Sequence, residues 1–129
     1  MLRKYMSFLV CALLLTGCAA PESQKTGYRQ VSMEQAISMM ETESGYIILD
    51  VRTQEEYALG HIPDAVNVPN ETIGHGKIPE LPDKDQLILV YCRSGNRSKQ
   101  ASEKLANLGY TQVVEFGGIH EWPSVTVAE

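Results

Sequence analysis

Two apolar runs, YIILDV at residues 46–51 and LILVY at 87–91, constrain this chain more than any other feature. Each has the length of a strand and little polar alternation, as expected of strands covered on both faces within a parallel sheet. Helical signals recur around them. Ser32 followed by Gln35 is a capping box, and Met33, Ala36, Ile37 and Met40 repeat at i, i+3, i+4 and i+7, which predicts a helix ending before Gly45. Thr53 and Glu56 form a second capping box, opening a short helix that stops at Gly60. AVNV (65–68) reads as a brief strand between Pro63 and Pro69, and residues 70–78 as a weak helix or loop. A helix over about 97–108, with Ala101, Leu105 and Leu108 on one face, is ended by Gly109. VVEF (113–116) is a last strand before a Gly-Gly turn. Strands alternating with helices predict an α/β domain with a mainly parallel sheet, whose ligands sit outside the carboxyl ends of the strands.

The chain has 129 residues, room for one domain, with 43% apolar and 21% charged residues. It has no internal repeat, heptad pattern or basic cluster, so nucleic acid is not an expected partner. The N-terminus stands apart. Arg3 and Lys4 precede the apolar stretch FLVCALLL (8–15), the layout of a secretory signal peptide. That stretch is well short of the ~20 residues a spanning helix needs; a buried core helix is the alternative reading. Leu15-Thr16-Gly17-Cys18 resembles the lipobox of bacterial lipoproteins, which implies cleavage before Cys18 and diacylglycerol on its sulfur. The expected organisation is a removed leader (1–17), a lipidated cysteine with a flexible tether (18–27) and a folded domain (28–129). The expected location is the cell envelope, outside the cytoplasm. Processing removes two positive charges and no negative one, so the net charge of -5 becomes -7. An acidic body gains nothing from anionic lipid, so the acyl chains would hold it at the membrane. Cys11 leaves with the leader and Cys18 is consumed by lipid, so Cys92 is the thiol left free.

Cys92 closes the apolar run 87–91 and opens the segment CRSGNRS (92–98). The chain must turn there within about five residues before the next helix. Gly95 supplies unrestricted backbone angles, and Ser94 and Asn96 tolerate turn conformations. Such a loop aims backbone N–H groups inward and forms an anion-binding nest at the positive end of the helix dipole. With Arg93 and Arg97 nearby, Cys92 is expected to ionise more readily than an ordinary thiol and to act as a nucleophile. The competing reading is a buried packing cysteine before a turn, with Arg93 a solvated loop charge. Arg97 at a helix N-terminus is locally unfavourable and calls for compensation.

Three segments, ILDVRTQEEYALGHIPDAVNVP (48–69), CRSGNRS (92–98) and GGIHEWP (117–123), together resemble a single-domain rhodanese, or sulfurtransferase. The resemblance implies a three-layer sandwich with a five-stranded, mainly parallel sheet flanked by helices. It implies that Cys92 attacks a sulfane sulfur, as in thiosulfate, and holds it as a persulfide before a thiol or cyanide takes it. The backbone of Arg93, Ser94, Gly95, Asn96 and Arg97 would cradle the substrate, and Asp50 and Arg52 would pair or cap in support of the loop. No metal or organic cofactor is implied. His75 and His120 lack partners at ligand spacing, His61 reads as scaffold behind a helix end, and Trp122 as a closure of the core. Three rival functions remain, one of them a thiol-redox role, against which stands the lack of a C-x-x-C or resolving cysteine in the processed domain. A cysteine phosphatase or arsenate reductase uses five residues between cysteine and arginine, whereas four separate Cys92 from Arg97. A non-catalytic binding module on the same scaffold would usually lack the cysteine. The expected partners are a small sulfur-containing anion, a thiol acceptor and the membrane, and a monomer is the expected state.

Overall fold

The computed structural model describes residues 27–129. The expected leader, Cys18 and most of the tether lie outside the described residues. In chain order the elements are β1 (Arg29–Gln30), α1 (Met33–Thr42), β2 (Ile47–Asp50), α2 (Gln54–Leu59), β3 (Val66–Asn67), β4 (Leu87–Cys92), α3 (Asn96–Asn107) and β5 (Gln112–Gly118). The five strands form one parallel sheet in the order β1-β5-β4-β2-β3. Both capping boxes form. Ser32 Oγ accepts from the Gln35 amide and Thr53 Oγ1 from the Glu56 amide, and each partner side chain accepts from the cap amide in return.

The apolar runs are covered on both faces, as their lack of alternation predicts. Ile88, Val90 and Cys92 point to the α3 side, where they meet Leu49, Val51, Val113, Ala101 and Leu105. Leu89 and Tyr91 point to the α1 side with Ile48, Val114, Phe116, Met33 and Ala36. Each such aliphatic side chain taken from water contributes roughly 1.5–3 kcal/mol, so β4 at the sheet centre is the best-anchored strand. Cys92 thus ends the central strand of the sheet.

Two local expectations are corrected, those for Leu108 and for the Gly-Gly turn, while the weak helix or loop at 70–78 is borne out. Leu108 does not join the buried face of α3. It caps the helix, 39% exposed, because the chain turns away at Gly109 with φ +95°. Residues 70–78 open with a 3-10 turn at Asn70–Thr72, seated on α3 through Asn70, which bonds Gln100 and Lys104. Gly117 and Gly118 are not a turn but the end of β5. Gly118 is opposite Cys92 across a register shift in β4. A Cβ there would stand 2.8 Å from Ser94 Cα and closer still to the Arg93 carbonyl, so the loop after Cys92 can lie on β5 only over a glycine.

Candidate active site

Cys92 ends β4 at the carboxyl edge of the sheet, and the next residues wrap back over its sulfur. Gly95, in the left-handed region at φ +108°, is the N-cap of α3 and turns its amide inward. That amide donates to Cys92 Sγ at 3.0 Å. The residue is 1% exposed, so little of the thiol meets bulk water. Arg93, Ser94 and Asn96 are exposed around it, while Gly95 is buried beneath them. Arg93 lines a cleft of about 360 Å³ with Arg52, Glu56, Leu59, Ile119 and His120. Sulfur, inward amide and helix N-terminus are thus assembled as an anion-stabilising unit.

Arg97 finds its compensation in α2. Its guanidinium makes a two-pronged pair with Glu56, Nη1 to Oε1 at 2.6 Å and Nη2 to Oε2 at 3.0 Å. Glu56 also serves the Thr53 capping box, so one carboxylate closes a helix and clamps the active loop. The Arg97 bond, above all, holds the Glu56 carboxyl down to about 2 from 4.5. The Arg97 guanidinium is raised in turn, by that bond first and, among weaker causes, by the nearby Cys92. A carboxylate with a depressed folded value stabilises the fold above its unfolded value and loses that contribution as pH falls through the folded one. The pair's contribution should therefore be complete above pH 4.5 and vanish towards pH 2. Both side chains are 31% exposed, so screening holds it to about 1 kcal/mol or less. Thermal melts of Glu56→Gln across that window should be flatter with pH than those of the wild type; parallel curves would contradict the clamp.

Asp50 and Arg52 pair with each other. Arg52 Nη2 meets Asp50 Oδ2 at 2.7 Å and Nε reaches both carboxylate oxygens, while the Tyr91 hydroxyl donates to Oδ2 at 2.6 Å. Burial first, then the bond to Asp50, push the Tyr91 phenol up. Arg52 Nη2 also donates to the Gly60 carbonyl at 2.7 Å, tying the end of α2 to the sheet. His61 stacks on Tyr57 at 3.7 Å and its Nδ1 bonds the Tyr57 carbonyl, a scaffold arrangement. Trp122 packs half-buried against the α1-side core.

A family model described as the rhodanese-like domain matches residues 32–124. The chain belongs to the rhodanese-like family. It is a sulfurtransferase of the rhodanese type. Among curated relatives, the rhodanese is 37% identical over 73 residues to the thiosulfate sulfurtransferase PspE of Escherichia coli, covering 57% of this chain and 70% of that one. It is 43% identical over 77 residues to a sulfurtransferase of Allochromatium vinosum, covering 59% and 70%. Its fold matches the human single-domain sulfurtransferase TSTD1 with a TM-score of 0.64 and 26% identity, covering 72% of this chain and 93% of that one.

Two residues of this rhodanese's site were not singled out by sequence reasoning. Ser98 and Glu115 are both buried, and Ser98 Oγ lies 3.4 Å from Cys92 Sγ and 2.6 Å from Glu115 Oε1. The signal for Glu115 was present: a carboxylate inside the strand VVEF, at a position facing a core. Ser98 had only its place on the first turn of a helix.

Proposed function

We propose that the domain moves a sulfane sulfur from a thiosulfate-like donor, through a Cys92 persulfide, to a thiol or cyanide acceptor. The observation that carries this reading is the Cys92 sulfur at the carboxyl end of β4, receiving the Gly95 amide at the N-terminus of α3. The Cys92 thiolate attacks the outer sulfur of thiosulfate. A new S–S bond forms, the old one breaks, and sulfite leaves with its electron pair. Cyanide then attacks the held sulfur, thiocyanate departs, and the pair of the broken bond returns to Cys92 as thiolate. The amide and the helix terminus favour negative charge on sulfur in both half-reactions. Arg97, fixed by Glu56, adds a cation beside the same sulfur. The test is direct. The domain is incubated with thiosulfate and analysed by mass spectrometry. One added sulfur on Cys92 supports the reading. No added sulfur, with hydrolysis of an aryl phosphate instead, overturns it in favour of a phosphatase.

We further propose that the domain is held outside the cytoplasm by a membrane tether at Cys18. The support for this is the order Arg3-Lys4, the apolar residues 8–15 and the Leu15-Thr16-Gly17-Cys18 site. Cys18→Ser should abolish labelling of the full chain by a fatty-acid analogue in cells; unchanged labelling excludes the anchor.

A further inference from the structure

Residues 113–116 of β5 alternate between the two faces of the sheet. Val113 belongs to the core under α3, and Val114 and Phe116 to the core on the other side. The alternation assigns position 115 to the α3 face, where an aliphatic side chain is expected, yet it carries a glutamate that is 3% exposed. Its Oε1 accepts from the Gly117 amide at 2.9 Å and meets Ser98 Oγ at 2.6 Å. Ser98 in turn touches Cys92 Sγ at 3.4 Å and the Gly95 carbonyl at 2.9 Å. A buried carboxylate is costly, and here it ends a chain of hydrogen-bonding groups that begins at the nucleophile.

We propose that Glu115 is the internal proton acceptor for the Cys92 thiol, acting through the Ser98 hydroxyl. This rests on the reading of Cys92 as the sulfur-carrying nucleophile. Ser98 has one hydroxyl proton for several acceptors. With Cys92 protonated, the S–H donates to Ser98 Oγ, and Ser98 donates to the Glu115 carboxylate. With Cys92 ionised, the Ser98 proton is needed on sulfur. The 2.6 Å contact to Glu115 then places two oxygens together and is favourable only if Glu115 supplies a proton to it. Hence the Cys92 S–H bond breaks and a Ser98 O–H forms, while the former Ser98 proton forms the Glu115 O–H. Serine is unchanged overall, no proton leaves the domain, and the pair shares one negative charge. When an acceptor later takes the outer sulfur, the electron pair returns to Cys92 and the proton moves back along the same path. Because Glu115 works through Ser98, it is a positioning residue.

The charges around this pair come from several elements. α3 contributes Arg97, whose partner Glu56 is on α2 and which also feels Glu71. Arg93 follows Cys92 in the loop, and the Glu121 carboxylate is 3.7 Å from the Cβ position of Gly117. β1 sets Gln30 in register with Glu115, and its Arg29 turns to Met39 of α1, on the opposite side of the sheet from α3.

The experiment is the pH profile of Cys92 alkylation by iodoacetamide in the full domain, with loading by thiosulfate measured beside it. A shared proton predicts two steps with a plateau between them in the wild type. Glu115→Gln should collapse the profile to a single step. Ser98→Ala should lower the plateau by at least about tenfold, the effect of losing a hydrogen bond to a charged sulfur. A single-step wild-type profile overturns the proposal. So does a plateau of unchanged height in Ser98→Ala, because charge acting through space would then suffice. Infrared difference spectra of the wild type need no variant to fold: alkylating Cys92 within the plateau should remove a protonated-carboxyl band, and no loss of such a band is equally fatal. Thiosulfate loading keeps the two readings apart. If Cys92 takes up sulfur but the plateau is missing, the relay fails and sulfur transfer stands. If Cys92 takes up none, sulfur transfer itself fails, whatever the profile.

Discussion

Cys92→Ser is expected to release no thiocyanate from thiosulfate and cyanide above the uncatalysed background, a loss on the order of 10⁴-fold or more, as when a covalent nucleophile is removed. The substitution is small in volume. Serine keeps a group to accept the Gly95 amide, and Ala101 and Leu105 stay packed in the adjoining core. What disappears is the thiolate, since an alcohol does not ionise near neutral pH. A melting temperature close to wild type, together with absent turnover and no added sulfur, separates lost chemistry from lost fold. Retained turnover in a folded Cys92→Ser domain would remove the persulfide from the mechanism.

Much of this site was legible because its cause is local. An apolar strand ending in a cysteine, with a glycine and a helix start within the next four residues, leaves the backbone few paths, and the observed loop follows one of them. The two capping boxes were legible for the same reason. The partners of the loop were not. Glu56 and Arg97 lie 41 residues apart, and Glu56 already had a sufficient local role in its capping box. Gly117 and Gly118 looked like a turn because two glycines usually free the backbone. Here the second one instead allows another backbone to approach, and that depends on strand register. Glu115 was hidden by its neighbours, since a run such as VVEF is read for its hydrophobicity and not for its exception.

The scaffold makes the second large effect. Asp50→Ala should destabilise the domain by about 3–5 kcal/mol, the cost of leaving a buried cation without its partner. Asp50 is 0% exposed and Arg52 6%, and the carboxylate also accepts from the Tyr91 hydroxyl in the centre of the sheet. Alanine would leave a buried guanidinium without its carboxylate and a phenol without its acceptor. For a domain near 100 residues this is a fall in melting temperature of at least about 10 °C. Asp50→Asn, which keeps the shape and an acceptor, should cost less. Replacing both partners by apolar residues, as in Asp50→Leu with Arg52→Met, should recover part of the loss, because no charge is then left unpaired. The consequence extends to the active loop. Arg52 holds the Gly60 carbonyl at the end of α2, and α2 carries the Glu56 that clamps Arg97. Loss of Asp50 therefore loosens the C-terminal end of the helix whose Glu56 holds Arg97. Thermal melts combined with thiosulfate turnover check this coupling. Asp50→Ala that melts within about 3 °C of wild type would show that the buried pair is not what secures the edge of the sheet. Equal turnover per folded molecule would show that the clamp on Arg97 does not depend on it.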